Sequence, residues 1–392
     1  MAVSSRIKDV QAASRSLNAF YFQSRYGKRR AAPDICDFTF GNPHEMPLPE
    51  IVSAIRTHAV PKDENWFAYK ASEAEPRSFL AEHVGRELGL AFEPADIALT
   101  SGAFAAIALI FHLTLDQGDE AIFSEPAWFC YEPMLLAAHA VPRKVALAAP
   151  SFDLDLSAID AAIGQKTKLV IVNTPHNPTG RIYTGRMLRD LADLLERASA
   201  RVGHRIYLLS DEPYRRLRFD GRAFDSPASF YPWTFISYSY GKVLLSPGQR
   251  LGYMAISPLM PPEERRAFQQ AAFPAQVAIG WSFPNAVMQY AVPDLEKLSI
   301  DQAALARRRD RLLPVLRQAG CEPLVPEGTF YLWSRWPDGE PDRHWSALAD
   351  RDVFVLPGSL MNAEHYFRIS LTASDAMVEK ALPVFAQADQ GG

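Results

Sequence analysis

The run SYSYGKVLLSPGQRLGY, Ser237 to Tyr253, holds one lysine, Lys242, between two strand-like segments, WTFISYS (233–239) and LGYMAIS (251–257). Arg250 follows eight residues after it, across a Pro247-Gly248 turn. A lysine ammonium is costly to bury unless its charge is paired or removed. Chemistry that needs a neutral amine, such as condensation with a carbonyl, gives a reason to hold one there. The flanking segments are too close for a helical crossover, so one of the pair is expected to run antiparallel.

Upstream of this loop, apolar strand-like runs alternate with helical patterns. IALT (97–100), EAIFSEP (120–126), VPRKVALA (141–148), KLVIVNTP (168–175) and RIYLLSDEP (205–213) bring the strand candidates to seven. Continuous apolar runs followed by helices predict an α/β fold, with a seven-stranded, mainly parallel sheet covered by helices on both faces. After residue 260 the rhythm changes. A long amphipathic helix ends at Gly320, and GTFYLWSRW (328–336), DVFVLPG (352–358) and YFRISLT (366–372) follow as further strands. These form a smaller α+β unit, which an N-terminal helix and arm is expected to join. The expected division is an arm over 1–48, a large domain over 49–285 and a small domain over 286–392.

Composition excludes several classes. The net charge is −4, without the basic footprint of a nucleic-acid binder. No apolar run reaches the roughly 20 residues of a membrane helix. Three widely spaced cysteines, Cys36, Cys130 and Cys321, argue against a disulfide framework or a zinc site and fit a reducing compartment such as the cytoplasm. The first 33 residues carry seven Lys/Arg and one acid, Asp9, as a transit peptide would. Helical apolar spacing in RIKDVQAASRSLNAFYF favours a folded helix instead.

In an open parallel sheet, ligands collect outside the carboxyl ends of the strands. There the chain places Ser101-Gly102-Ala103 opening a helix, Trp128, His176-Asn177-Pro178-Thr179-Gly180, Asp211-Glu212 with Tyr214, and Lys242. Each has a bland reading: a helix cap, core packing, a turn, a structural salt bridge. Taken together they suit one planar cationic heterocycle. Its ring nitrogen needs an acid, its phenolic oxygen an amide and a tyrosine, its phosphate a helix start and an arginine, and its aldehyde a lysine.

The motifs SGAFAAI, PAWFCY, NTPHNPTG, LLSDEPYRRL, the lysine run, PEGTFYLW and YFRISL stand in the order and spacing of the class I/II aminotransferases. The chain resembles these pyridoxal 5'-phosphate (PLP) enzymes of fold type I over roughly residues 38 to 372. The family's early glycine–proline signature starts at Gly41. The resemblance implies that Lys242 binds the cofactor's aldehyde and shuttles a proton. Asp211 would pair with the ring nitrogen, Asn177 and Tyr214 with the phenolic oxygen, and Trp128 with the ring face. Ser101, Gly102, Ala103, Ser239 and Arg250 would hold the phosphate. Arg368 would take the substrate carboxylate, under closure by Gly41. Tyr69 or Phe67 would reach the phosphate of a partner in a homodimer with shared sites.

The resemblance also implies amino acid and 2-oxo acid substrates in a ping-pong transfer. Phe104 stands where a dicarboxylate branch has lysine, and FPAQVAIGWSF lacks the arginine of another branch. Both departures point to an apolar or aromatic amino donor. A PLP-dependent lyase on the same scaffold is the alternative enzyme, since fold and cofactor residues do not separate the two. A regulatory binding module is the third reading, disfavoured by the lack of spare length and of a basic patch.

Overall fold

The computed structural model describes residues 3–281 and 283–387. Its large sheet is built from β2 (Ile97–Thr100), β3 (Glu120–Glu125), β4 (Val141–Ala146), β5 (Thr167–Asn173), β6 (Tyr207–Asp211), β7 (Thr234–Ser239) and β8 (Gly252–Ile256). The strand order is β2-β8-β7-β6-β5-β3-β4. All neighbours run parallel except β8, which is antiparallel to both β2 and β7. The expected seven strands and the antiparallel member are both present.

β7 and β8 are buried along their whole length. Helices cover both faces of the sheet, so β8 reads as an apolar run after Gly252, and even the polar Thr234, Ser237 and Ser239 of β7 are buried. The helix Ala103–Thr114 packs on β6, β7 and β8. The helix Gly185–Val202 buries Leu188, Leu191, Ala192, Leu195, Ala198 and Val202, one stripe at helical spacing. It starts where Thr184 accepts from the Met187 amide and stops at Gly203, with φ +78°.

A second sheet has the order β1-β11-β12-β10-β9, from β1 (Cys36–Phe38), β9 (Glu322–Pro323), β10 (Tyr331–Arg335), β11 (Val353–Pro357) and β12 (Tyr366–Ser370). β1 comes from the N-terminal segment and pairs parallel with β11, Cys36 opposite Val353. Ahead of it lie the helices Ser5–Ala13 and Arg15–Asn18 and a π-turn, Ala19–Gln23. The sequence reading did not foresee the two-residue edge strand β9 or the C-terminal helix Asp375–Ala386, which begins at a Ser374 cap.

The lysine run departs from a plain loop. Ser239 caps a single helical turn, Tyr240–Val243, and its Oγ accepts from the Gly241 amide at 3.3 Å. Lys242 therefore sits on a hydrogen-bonded turn with a defined direction. Behind it Gly252 lets β8 approach the start of the Ala103–Thr114 helix. A Cβ at 252 would lie 2.9 Å from Gly102 and overlap the Tyr238 carbonyl.

Candidate active site

One cavity of about 540 Å³ opens at the carboxyl ends of the large sheet, against β10, β12 and the N-terminal segment. The chemistry-bearing side chains enter it three or four residues past strand ends. Ala103 follows β2, Trp128 follows β3, Asn177 follows β5, Tyr214 follows β6 and Lys242 follows β7; Asp211 ends β6 itself. A strand end fixes the backbone, and the short turn after it leaves the side chain little freedom. Gly41, Ser239, Arg250 and Arg368 also line the cavity.

Asp211 is 4 % exposed. Its Oδ2 accepts from the Tyr131 hydroxyl at 2.6 Å, while its Oδ1 is buried without a partner. Burial pushes the carboxyl up to about 6, against the opposing pull of the Tyr131 and Ser237 hydroxyls and of Lys242. Asn173 ties two strand ends together. Its Nδ2 donates to the Asp211 carbonyl at 2.8 Å and its Oδ1 accepts from the Asn177 amide at 2.7 Å. Asn177 Oδ1 in turn accepts from Arg368 Nη1 at 2.7 Å, which leaves the Asn177 amide nitrogen as the donor for a ligand.

Three cations border the cavity: Lys242, Arg250 and Arg368. Among the described residues none has a carboxylate within ion-pair distance. Arg368 is 2 % exposed and its Nε has no partner. Its Nη2 donates to the Thr39 carbonyl at 2.8 Å. A buried guanidinium with no counter-charge costs on the order of several kcal/mol. Such a group is held for an anion that arrives with a ligand.

Arg250 adopts φ +52° and spans the helix start, donating to the Pro247 and Ser101 carbonyls at 3.0 Å each. Gly102 has φ +80° and ψ 178°, a region essentially restricted to glycine. A Cβ there would meet Arg250 Nη2 at 2.7 Å. The result is a cradle of backbone amides and one guanidinium at the start of a 12-residue helix. Ala103 lines the cavity; Ser101 and Gly102 are not among its lining residues, and the Gly102 amide donates to the Thr100 carbonyl at 2.8 Å. Opposite the cradle, Trp128 meets Phe104 edge-on with centroids 4.7 Å apart.

Tyr69 and Phe67 do not line the cavity; both side chains are exposed. Four contributions escaped the sequence reading. Tyr131 and Asn173 orient Asp211 and Asn177, Tyr331 lies under Arg368, and Leu17, Asn18, Tyr21 and Phe22 wall the cavity from the N-terminal segment. Tyr131 and Asn173 sit inside quoted motifs, PAWFCY and NTPHNPTG, so their position was a signal. The N-terminal wall had none, because its approach depends on distant partners, the β1–β11 pairing and the packing of Ser5–Ala13 on the helix Tyr131–Ala137.

This donor set fits pyridoxal 5'-phosphate. The orphaned Asp211 oxygen suits a cationic ring nitrogen, the cradle a phosphate, the amine an aldehyde, and Arg368 a carboxylate. The model for "Aminotransferase class I and II" matches residues 33–385. The chain is 32 % identical over 373 residues to the aspartate/prephenate aminotransferase of Thermus thermophilus, covering 92 % of each chain. It is 26 % identical over 389 residues to human kynurenine–oxoglutarate transaminase 1, covering 88 % of this chain and 90 % of that one. An aminotransferase structure from Eubacterium rectale superposes with a TM-score of 0.88 at 27 % identity, covering 100 % of this chain and 99 % of that one. The elimination reading is not favoured, since these relatives are transaminases by name. Fold, cavity and comparisons agree: the chain belongs to the class I and II aminotransferases, PLP-dependent enzymes that transfer amino groups.

Proposed function

We propose that the chain moves the α-amino group of an apolar or aromatic amino acid to a 2-oxo acid in two half-reactions. Bound PLP supplies an electron sink for the pair of electrons left at the substrate's α-carbon when its proton departs. Asp211 keeps the ring nitrogen charged, and Asn177 and Tyr214 donate toward the phenolic oxygen. Ser101, Gly102, Ala103, Ser239 and Arg250 hold the phosphate, and Trp128 covers the ring. Arg368 grips the substrate carboxylate with its unused donors and so aims the α-proton at Lys242 Nζ. Lys242 takes that proton and returns it, and Gly41 closes the site from the N-terminal segment.

One observation carries the substrate class. Lys242, Arg250 and Arg368 are the lysines and arginines among the described residues lining the cavity. With aldehyde, phosphate and α-carboxylate assigned, none remains within the subunit for a second carboxylate. The outer wall instead carries Leu17, Tyr21, Phe22, Phe40, Phe104 and Phe129. Aspartate, in the name of the Thermus relative, is the competitor to beat. In single-turnover half-reactions, phenylalanine, leucine or methionine is expected to bleach the visible band of the bound cofactor at least about ten-fold faster per molar than aspartate. Preference for aspartate by that margin would sink the assignment.

The same reading makes the enzyme a homodimer with shared sites, Tyr69 or Phe67 reaching the partner's phosphate. The exposed Phe67, Tyr69, Phe273, Val277 and Trp281 support it, as apolar surface of this kind marks contact faces. Sedimentation at twice the monomer mass is expected; a monomer that is fully active at nanomolar concentration would refute it. The two separate sheets support the division into 1–48, 49–285 and 286–392, with the arm carried by β1 on β11. Calorimetric unfolding as one unit, with no separable small-domain transition under any condition, would count against it. Three widely spaced cysteines, with no CxxC pair, support the cytoplasm as the setting; fractionation into a secreted pool would exclude it. Among the described residues no helix is long and apolar enough to cross a membrane.

A further inference from the structure

Arg368 poses a physical problem that the proposed chemistry does not solve. Between turnovers its charge is buried with no carboxylate beside it. Asn177 Oδ1 and the Thr39 carbonyl fix its two terminal nitrogens, but neither offsets the charge.

Tyr331 is the side chain placed to do so. It opens β10, where it pairs with Ser370 of β12, so Arg368 lies two residues along the facing strand and on the same face. The guanidinium carbon sits 3.7 Å from the centroid of the Tyr331 ring. This is a cation lying on a π face in a desolvated site, where such contacts are strongest. The ring cannot drift. It packs at 4.8 Å against Phe330 and 5.9 Å against Tyr214, both steeply inclined. Its hydroxyl abuts the backbone of Gly41, where an added Cβ would come within 2.8 Å of it and would also strike the Phe330 ring. Tyr331 is 3 % exposed and lines the cavity. Its acidity agrees with this placement. Burial raises a phenol, yet Arg368, Lys242, the Tyr214 hydroxyl and the Gly41 amide together hold Tyr331 below the usual range.

We propose that Tyr331 is a positioning residue that acts through Arg368: its ring face stands in for the absent counter-charge and presents the free guanidinium edge to an incoming carboxylate. The hydroxyl, pinned at Gly41, keeps that face in register with the N-terminal segment. The assignment rests on the reading that Arg368 receives the substrate carboxylate.

The test separates the ring from the hydroxyl. Tyr331→Leu removes the π face and leaves a smaller aliphatic side chain, and Tyr331→Phe keeps the face. Binding of 3-phenylpropionate, an unreactive carboxylate, to the holoenzyme is measured by calorimetry, alongside KM and kcat for phenylalanine. Tyr331→Leu is expected to weaken 3-phenylpropionate and raise KM by about ten-fold or more, with kcat at saturation changed far less. Tyr331→Phe is expected to restore affinity to within about three-fold. Unfolding midpoints confirm that each variant is folded. Arg368→Ala is the control. If it leaves the 3-phenylpropionate affinity unchanged, the carboxylate reading itself fails. If Arg368→Ala weakens binding while Tyr331→Leu does not, only the proposal about Tyr331 falls. A Tyr331→Phe variant as weak as Tyr331→Leu would also overturn it, because the hydroxyl and not the ring would then matter.

Discussion

Replacing Lys242 by alanine is expected to lower amino-group transfer by at least about 10⁴-fold while leaving the protein folded. Two contributions disappear at once. A positioned general acid–base is worth about 10² to 10⁴ in rate, and loss of the covalent amine adds to that. Arginine at 242 does not rescue, because a guanidinium stays protonated and can neither condense with an aldehyde nor accept the α-proton. The fold should tolerate the change. The Tyr240–Val243 turn is capped by Ser239 and its other members are buried, so the backbone does not depend on the lysine. Among the described residues the ammonium has no ion-pair partner to strand; its neighbours are the Tyr214 and Phe330 rings, 5.8 and 5.9 Å away. Cofactor retention is the second readout. The Arg250–Gly102 cradle and Asp211 remain, so PLP should still bind, with the visible absorbance of a free aldehyde. Millimolar methylamine should then restore part of the rate by supplying the missing amine. A variant that keeps more than about one per cent of the parent rate without added amine would remove Lys242 from the chemistry.

Much of this fold can be read from the chain because the large sheet is buried on both faces. Leu169–Val172 of β5 and Tyr253–Ile256 of β8 appear as apolar runs with no polar alternation, and Gly203 and Gly89 close helices where left-handed backbone is needed. The ligand-facing residues follow strand ends by a few positions, so local order in the sequence becomes local order in space. Legibility stops where the geometry depends on distant segments. The wall from Leu17 to Phe22 is placed by distant partners: β1 joins β11, more than 300 residues away in sequence, and the helix Ser5–Ala13 packs on the helix Tyr131–Ala137. Tyr331 reads as a core aromatic in GTFYLW; that it carries Arg368 follows from the register of β10 on β12. Asn173 reads as the last residue of a strand, although its side chain links Asp211 to Asn177. Tyr69 and Phe67, read as alternatives for reaching a partner's phosphate, are both exposed outside this subunit's cavity.

Asp211→Asn is expected to split stability from activity. In the cofactor-free protein the Asp211 carboxyl is buried, half unpartnered, and raised to about 6. Its value in the unfolded chain is about 3.9. A group raised on folding contributes most stability below its unfolded pKa and loses it as pH rises through the folded one. The window therefore runs from about pH 4 to about pH 6. Above it the ionised carboxylate opposes folding by up to about 3 kcal/mol, two pKa units at 1.36 kcal/mol each. Asparagine has the same shape and no charge to desolvate. The cofactor-free Asn variant should thus be more stable than the parent at pH 8, by up to about 3 kcal/mol, with the gain vanishing toward pH 4. Denaturant titration at the two pH values measures it. Transfer should move the other way. A neutral amide cannot hold the ring nitrogen in its charged form, and removing one such electrostatic partner from a dry site costs about 10³-fold in rate. Tyr131, which donates to Oδ2, fixes the carboxylate so that Oδ1 is the oxygen left for the ligand. A variant equally active, or no more stable at pH 8 than at pH 4 relative to the parent, would contradict this account. The destabilising charge at Asp211 is then the physical signature of the ligand: the fold keeps a buried carboxylate it would be more stable without, because a cation from outside the chain completes it.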